Sequence, residues 1–350
     1  MGLFSEEEVR LVVFQLNKEK ALGPDGFTIV EYQECWNVIK EDLMRVFLEF
    51  HTNRIINRST NATFIASVPK KSQTFKISDF RPISLVTSLY KIIAKVLSGR
   101  LRNVLHETIF GSQGAFVKGR HILDAMLMAN EVVDVKRRSG EEGVVFKINF
   151  EKAYDHVDWG FLDHVLERKG FSPKWRSWMR GCLSSSSFTI LVNGNAKSRV
   201  KASRGLRQGD PLSPFLFTSV ADVLSRLMIK AEETGLTEGF FVGRDRTRVS
   251  LLQFADDTIF FSKASLEHLQ NLKIILLVFR QVLGLKINLE KSTISSINSR
   301  QELLSSLASV FYCRVSEWPL SYLGLPLGGN PKTISFWDPV VERISRRLDG

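Results

Sequence analysis

Apolar residues recur with helical spacing through most of the first 140 positions. Ser5 and Glu8 form a capping box ahead of VRLVVFQL, which predicts a first helix that begins near residue 5. Gly-Pro-Asp-Gly at 23–26 then predicts a turn. The 3.6-residue period resumes in three further segments, which are predicted to be helices: 31–50, 88–105 and 121–138.

From residue 144 onward the pattern becomes that of strands mixed with helices. VVFKINF (144–150) is predicted to be a strand, and Asn193-Gly194 predicts the turn of a hairpin over 188–203. Asp210 and Pro211 are predicted to be the N-cap and first residue of a helix. The other predicted elements are helices at 159–170, 212–233 and 265–284 and a hairpin at 250–262. This order predicts the α+β class, with an antiparallel sheet backed by helices.

Composition describes a folded, basic protein. The chain has 350 residues, of which 44% are hydrophobic, and 25 Phe and 6 Trp supply core anchors. A net charge of +11 favours a polyanionic partner such as nucleic acid, although many soluble proteins are basic and bind none.

Several classes of protein are disfavoured by what the sequence lacks. The three cysteines form no CxxC pair and the histidines form no HExxH motif, which argues against a zinc module or a disulfide framework. No run of about 18 apolar residues predicts a membrane span, and the acidic N-terminus lacks a signal-peptide core. We therefore expect an intracellular setting, nuclear or cytoplasmic, with no membrane partner; the sequence does not indicate an oligomeric state.

Asp256 and Asp257 lie in the middle of an apolar strand pair, FADDTIFF. Because side chains alternate along a strand, only one carboxylate is expected to dominate a metal site. Two adjacent anions in an apolar setting repel each other unless a cation is present, and oxygen ligands favour Mg²⁺ or Mn²⁺ over zinc. A surface turn is the alternative, but the strand pattern that continues on both sides favours a metal site.

RGLRQGDPLSPFLF (204–217) combines glycines with cations ahead of the predicted helix. Gly205 and Gly209 allow a close approach of the backbone to a partner, and Arg204 and Arg207 add positive charge. Amide groups at the helix start are suited to anions. A well-capped helix alone would explain Asp210-Pro211, but it would not explain the alternation of glycine and arginine.

Eight blocks in order resemble reverse transcriptases, most closely those of plant-like non-LTR (LINE-type) retrotransposons. The blocks are KALGPDGF, SDFRPISLVTSLYKIIAKVL, GSQGAFVKGRHILDAM, FEKAYDHVDW, RQGDPLSPFLF, FADDTIFF, GLKINLEKS and YLGLPLGG. The resemblance implies a polymerase right-hand fold of fingers and palm, with the thumb largely absent. It implies fingers and part of the palm at 1–143, palm at 144–300 with the metal-site strands 144–150 and 250–262, and the primer-grip region with the start of the thumb at 301–350. A fingers segment can intervene within the palm, and we expect the chain to be a piece of a longer retroelement protein that carries an upstream endonuclease.

The resemblance also implies catalytic roles. Asp256 is implied to bridge the metal ions, with Asp257 as its weaker neighbour. Lys291 resembles the palm lysine proposed to protonate the departing pyrophosphate. Tyr154 resembles the aromatic gate that excludes a ribose 2′-hydroxyl. Position 149 is where the family has its first metal-binding aspartate, and here it is Asn149.

Further residues are implied to bind substrates, namely an RNA template, a DNA primer and deoxynucleoside triphosphates. Lys70 and Arg81 resemble the fingers cations that hold the triphosphate. Gln208 and Gly209 resemble the loop that packs against nucleotide and template. Tyr322-Leu323-Gly324 resembles the primer-grip hairpin.

Asn149 offers a neutral carbonyl oxygen in place of a carboxylate. Asp155 does not replace the missing charge, because it lies six residues on, past the strand; Asp158 is better explained as the N-cap of the helix at 159. The sequence therefore predicts a two-metal RNA-directed DNA polymerase whose activity is impaired. The alternatives are a catalytically inactive nucleic-acid-binding protein of the same fold and a fragment of a decaying element.

Overall fold

The computed structural model of the chain describes residues 2–299, 301–330 and 332–348. These residues form eleven α-helices: α1 (Glu6–Gln15), α2 (Ile29–Glu34), α3 (Trp36–Asn53), α4 (Ser88–Thr108), α5 (Ile122–Ser139), α6 (Trp159–Arg168), α7 (Pro173–Ser184), α8 (Ser213–Glu233), α9 (Leu266–Leu283), α10 (Gln301–Phe311) and α11 (Ile334–Leu348). They also form fifteen β-strands: β1 (Ala62–Pro69), β2 (Phe80–Val86), β3 (Gly143–Ile148), β4 (Phe150–Glu151), β5 (Ser187–Val192), β6 (Asn195–Val200), β7 (Phe240–Val242), β8 (Thr247–Val249), β9 (Leu251–Phe254), β10 (Asp257–Lys263), β11 (Lys286–Ile287), β12 (Thr293–Ile297), β13 (Arg314–Val315), β14 (Leu320–Tyr322) and β15 (Leu325–Leu327).

The chain divides into two compact units, each made of two stretches of sequence. The first unit comprises the residues up to Thr108 together with Tyr154–Val220. The second comprises Ile109–Ala153 together with the residues from Ala221 onward. The division of the sequence into fingers, palm and thumb segments stays a prediction.

The first unit is built on a four-stranded sheet with the order β2-β1-β5-β6. Strands β1 and β5 are parallel, and the other pairs are antiparallel. Aromatic residues anchor its helices: Phe4 lies edge-on to Phe47, with the ring centroids 5.1 Å apart, and Trp175 and Trp178 are fully buried. Burial of such large rings dominates the stabilisation of a core.

The second unit is built on a five-stranded sheet with the order β13-β12-β3-β10-β9. All its pairs are antiparallel except β12 with β13, which agrees with the predicted antiparallel sheet backed by helices. Alternation along the strands gives the sheet two apolar faces. One face, with Val145 and Ile259, packs against α5 and the hairpin β14–β15. On the other face, Phe146 packs against Phe311 of α10, with the ring centroids 4.2 Å apart.

Most of the predicted elements are confirmed. The first helix has Ser5 as its N-cap, the hairpin β5–β6 turns at Asn193-Gly194, and Asp158 caps α6 by accepting a hydrogen bond from the amide of Phe161 at 2.7 Å. Helices α4, α5 and α9 lie where the apolar period predicts them. No helix among the described residues is long and apolar enough to span a bilayer.

Four details of the prediction are wrong. The capping box at Ser5 is only half formed, because the Glu8 carboxylate pairs with Arg100 at 2.7 Å. The predicted helix 31–50 is interrupted at Cys35, and the strand predicted over 144–150 leaves the large sheet after Ile148. Helix α8 begins at Ser213, so Asp210 is not its N-cap. Helices α7, α10 and α11 were not predicted.

Candidate active site

The two aspartates lie at the tip of the hairpin β9–β10 in the second unit. Asp257 pairs with Phe254, which leaves Ala255 and Asp256 as a two-residue turn. Ala255 has a φ of 57°, in the left-handed region that an alanine rarely adopts. Asp256 is exposed at the turn, and Asp257 is half-buried at the first position of β10. The sequence therefore predicted the hairpin correctly, and the structure separates the two carboxylates by environment.

Electrostatics at the turn favour a cation. Burial raises the pKa of Asp257, the adjacent Asp256 carboxylate raises it further, and the ammonium group of Lys147 partly offsets both effects. A raised pKa means that the local environment disfavours the ionised form of the Asp257 carboxylate. A bound divalent cation would remove this repulsion, which is the behaviour expected of metal-binding carboxylates.

Asn149 follows the last residue of β3, Ile148, which pairs with Thr258 of β10. Asn149 is therefore one residue beyond the last paired position of β3, and Asp257 is one residue before the first position of β10 that pairs with β3. The backbone of Asn149 is fixed: the N–H donates to the Ser292 hydroxyl at 3.3 Å, and the carbonyl accepts from the Asn288 N–H at 2.7 Å. Position 149 therefore lies directly after the strand that pairs with the aspartate hairpin, and its role as a metal-ligand position stays a prediction.

Asp256, Asp257 and Asn149 all have side-chain oxygen atoms, which are the type of ligand that a hard divalent cation prefers. They supply two carboxylates and one neutral amide oxygen. In the part of the chain that the structure describes, no group of three His, Cys, Asp or Glu side chains is placed to hold a metal. The donor set fits a divalent ion, with one negative charge fewer than three aspartates would provide.

Lys291 lies in an exposed turn of the second unit. Its backbone N–H donates to the Asn288 carbonyl at 3.2 Å and to the Asn288 side-chain oxygen at 3.1 Å. Because the Asn288 N–H also binds the carbonyl of Asn149, the turn that carries Lys291 is attached to the end of β3. Its role in catalysis stays a prediction.

The predicted primer-grip residues form the turn of the hairpin β14–β15. Tyr322 is fully buried, and Leu323 and Gly324 have φ values of 50° and 81°. The Gly324 carbonyl accepts a hydrogen bond from Arg343 at 2.5 Å, and the neighbouring Ser321 carbonyl accepts one from Lys147 at 2.5 Å. Any contact with a primer would therefore come from the turn backbone rather than from the Tyr322 ring.

In the first unit, Lys70 and Arg81 are exposed at one end of the β1–β2 pair. Arg81 pairs with Val68, and Lys70 continues the ladder by donating its N–H to the Asp79 carbonyl at 2.9 Å. Strand alternation places the two cations on the same face. The Lys70 ammonium donates a hydrogen bond to the Ser78 carbonyl at 2.9 Å, and the role of the two cations in binding a triphosphate stays a prediction.

The loop of Gln208 and Gly209 lies against β2, where the Ser84 N–H donates to the Gln208 carbonyl at 2.8 Å. Beside the loop is an open groove of about 300 Å³, lined by Gln208, Arg204 and Asp155 and by apolar residues of the sheet. Gly209 has a φ of 97°, which explains the need for glycine at this position.

Tyr154 stacks on Phe217, with the centroids 4.8 Å apart and the rings inclined by 14°. Its carbonyl accepts a hydrogen bond from the N–H of Leu206 at 2.7 Å, in the segment just before Gln208. The ring therefore packs against Phe217, and its role as an aromatic gate stays a prediction.

The sequence suggested that Arg207 adds positive charge for a partner, and this is wrong. Arg207 is 5% exposed and forms an ion pair with Asp210, so its charge is already matched within the protein. Arg204 is exposed and lines the groove, so its positive charge is accessible.

A family model described as "Reverse transcriptase (RNA-dependent DNA polymerase)" matches residues 68–327. The chain belongs to this family. It is 31% identical over 240 residues to the transposon TX1 uncharacterized 149 kDa protein of Xenopus laevis, covering 69% of this chain and 18% of that protein. It is 26% identical over 282 residues to a Pol polyprotein from the type-1 retrotransposable element R2 of Popillia japonica, covering 80% of this chain and 38% of that protein.

These relatives confirm the resemblance to reverse transcriptases of non-LTR retrotransposons; its plant-like character stays a prediction. The fold is also similar to that of apo telomerase from Candida tropicalis truncated from its C-terminal domain, with a TM-score of 0.53 at 13% identity over 86% of this chain and 59% of the telomerase. The expected fingers-and-palm fold is thereby confirmed.

The chain spans less than half the length of the two curated relatives. Reverse transcriptases are nucleotidyltransferases that generally need a divalent metal.

Two residues of the second unit were missed by the sequence analysis. Lys147 precedes Asn149 by two positions and influences the pKa of Asp257. Gln113 lies in the block GSQGAF and binds the turn at Ala255. Alternation along β3 could have placed Lys147 on the metal-site face, whereas nothing in the sequence pairs Gln113 with a turn 142 positions away.

Proposed function

We propose that this chain is the polymerase module of a longer retroelement protein. The proposed reaction adds deoxynucleotides to the 3′-hydroxyl of a DNA primer on an RNA template. The observation that carries the proposal is the aspartate turn of β9–β10, which presents two carboxylates on the hairpin that pairs with β3, the strand that directly precedes position 149. The net charge of +11 supports binding of nucleic-acid phosphates.

Mg²⁺, or Mn²⁺, is the proposed metal. Asp256 would be its principal ligand, and Asp257 and the amide oxygen of Asn149 would be further ligands. A divalent cation bound there would supply positive charge to the primer 3′-oxygen and the α-phosphate.

The chain's own residues have separate proposed roles. Lys70 and Arg81 hold the triphosphate, and Gln208 and Gly209 support nucleotide and template. The ring of Tyr154, backed by Phe217, excludes a ribose 2′-hydroxyl. The turn Tyr322–Gly324 holds the primer end, and Lys291 donates a proton to the departing pyrophosphate.

We propose that Asn149 reduces the rate strongly. Loss of one carboxylate within about 4 Å of a divalent ion forfeits several kcal/mol at an effective dielectric of about 20. If about 4 kcal/mol of this falls on the transition state, the rate drops roughly a thousandfold. The fold and the affinity for nucleic acid do not depend on this charge.

Primer extension on an RNA template with Mg²⁺ or Mn²⁺ tests the proposal. The native chain is expected to extend slowly, Asn149→Asp roughly a thousandfold faster, and the double variant Asn149→Asp with Asp256→Asn not at all. Equal rates for the native chain and Asn149→Asp would contradict the proposed effect of Asn149. No extension by Asn149→Asp would contradict the proposed polymerase activity.

Asn149 also favours a second candidate function, that of a nucleic-acid-binding protein that does not polymerise. Binding of a primer–template, titrated with salt, separates the two. Salt-dependent binding with no extension by either form would favour the second function.

A further inference from the structure

Gln113 is a completely buried glutamine in the segment that precedes α5. Its side-chain oxygen accepts hydrogen bonds from the N–H groups of Ala255 and Ala115, each at 3.0 Å. Its side-chain nitrogen donates to the Ala255 carbonyl at 3.4 Å. One side chain therefore binds both polar groups of Ala255, the residue immediately before Asp256.

The backbone around Gln113 is attached to the same hairpin. The Gln253 N–H donates to the Ser112 carbonyl, and the Gly114 N–H donates to the Gln253 carbonyl, both at 2.8 Å. A Cβ atom on Gly114 would lie 3.0 Å from the Phe254 ring, so glycine permits this close approach. The segment thus lies along β9 and holds the Gln113 amide in place.

Ala255 is the position in the turn that most needs such support. Its φ of 57° is strained for an alanine, and residues of this kind persist only where their surroundings hold them. In a turn of two residues, a change at Ala255 necessarily moves Asp256. A buried amide that binds Ala255 on both sides would resist that change.

We propose that Gln113 is a positioning residue that fixes the Ala255–Asp256 turn and thereby places the Asp256 carboxylate for metal binding. The proposal rests on the proposed function, in which Asp256 binds a divalent cation. Gln113 itself contacts neither metal nor substrate.

The test compares Gln113→Met with Gln33→Met. Gln33 is also buried, in the first unit, where its side-chain nitrogen donates to the carbonyls of Val13 and Leu16 at 2.8 and 3.0 Å. Both variants lose buried hydrogen bonds and are expected to unfold at lower temperature. Only Gln113→Met is expected to weaken the binding of Mn²⁺ alone, about tenfold, as measured by electron paramagnetic resonance.

A second variant controls for general damage. Ala255→Gly removes the strain of a positive φ, so it is expected to restore part of the Mn²⁺ affinity when combined with Gln113→Met. Unchanged Mn²⁺ affinity in Gln113→Met, or an equal loss in Gln33→Met, would overturn the proposal.

Hydrogen exchange separates this proposal from the proposed function. Gln113→Met is expected to speed exchange of the Ala255 amide selectively, relative to the amides of β3. The native chain could bind no Mn²⁺ while Gln113→Met still speeds exchange of the Ala255 amide selectively. That result would contradict the proposed metal site but would support the role of Gln113 in holding the turn. Unchanged exchange at Ala255 would overturn the role of Gln113 itself.

Discussion

The guanidinium of Arg207 and the carboxylate of Asp210 form an ion pair inside the first unit, with Nε and Oδ2 3.0 Å apart. Arg207 also donates to the Asn61 side-chain oxygen at 2.7 Å, and its guanidinium lies 4.0 Å above the ring of Tyr90. The Tyr90 hydroxyl donates to Asp210 at 2.9 Å, which completes the network. The two charges flank Gln208 and Gly209 in sequence, so they anchor both ends of that loop.

Replacing Arg207 by methionine is expected to destabilise the protein by about 3–5 kcal/mol, because it leaves the Asp210 carboxylate buried without its cation. Urea denaturation measures the free energy of unfolding. Arg204→Met is the control: Arg204 is exposed in the same loop, and its loss is expected to change stability by less than about 0.5 kcal/mol. Similar stabilities of the two variants would contradict the importance of the buried pair.

Glycine is required at position 205 but not at position 99. Gly205 has a φ of 89°, and an added Cβ would lie 2.8 Å from the Asp155 carbonyl oxygen. Gly205→Ala is therefore expected to cost more than about 1 kcal/mol, since neither the backbone nor the space suits alanine. Gly99 is exposed within α4 with open space around it, so Gly99→Ala is expected to stabilise by about 0.5–1 kcal/mol. Thermal unfolding of the two variants should show shifts of opposite sign.

Asp79 gives the first unit a dependence on acid pH. Its carboxylate accepts hydrogen bonds from the N–H groups of Phe75 and Lys76 and pairs with Lys71, which together lower its pKa from the ordinary 3.8 to about 2. A lowered pKa in the folded state means that the stabilisation is present above about pH 4 and is lost as the pH falls towards 2. NMR titration of the Asp79 carboxyl carbon should show this midpoint. A midpoint near 3.8 would contradict these contacts, and Asp79→Asn should remove the effect.

The aspartate hairpin could be predicted from the sequence because its determinants are local. Apolar alternation on both sides of Asp256 and Asp257 predicts two strands, and the polar pair marks the tip of the hairpin, where Asp256 is in the turn and Asp257 begins β10. The same holds for α6, where Asp158 directly precedes the helix that it caps. In both cases the residues that determine the element lie within a few positions of it.

The burial of Arg207 and Asp210 could not be predicted, because their partners are distant in sequence. Asn61 lies 146 positions from Arg207, and Tyr90 lies 120 positions from Asp210. Locally, Asp-Pro before an apolar segment has the same appearance as a helix N-cap. Only tertiary packing shows that Asp210 is neutralised by Arg207 instead, and that α8 begins three residues later.

Lys147 is expected to hold the hairpin β14–β15 against the sheet of the second unit. It lies in the central strand β3 and is half-buried, and its ammonium group donates to the Ser321 carbonyl at 2.5 Å. Burial lowers the pKa of Lys147, and the Asp257 carboxylate opposes that shift. A hydrogen bond from a charged donor contributes about 1.5–3 kcal/mol. Lys147→Met is therefore expected to speed amide exchange in residues 320–327 at least tenfold, as measured by hydrogen–deuterium exchange.

Lys263 provides the matched control. It is the last residue of β10, at the end of that strand away from Asp257. Its side chain is 60% exposed and is paired with Glu238. Lys263→Met is expected to leave exchange in the hairpin unchanged, because exposed ion pairs contribute little to stability. Lys147→Arg keeps the charge and a donor and is expected to show an intermediate rate. Faster exchange throughout the second unit, rather than in the hairpin alone, would mean that Lys147 supports the whole sheet and not the hairpin specifically.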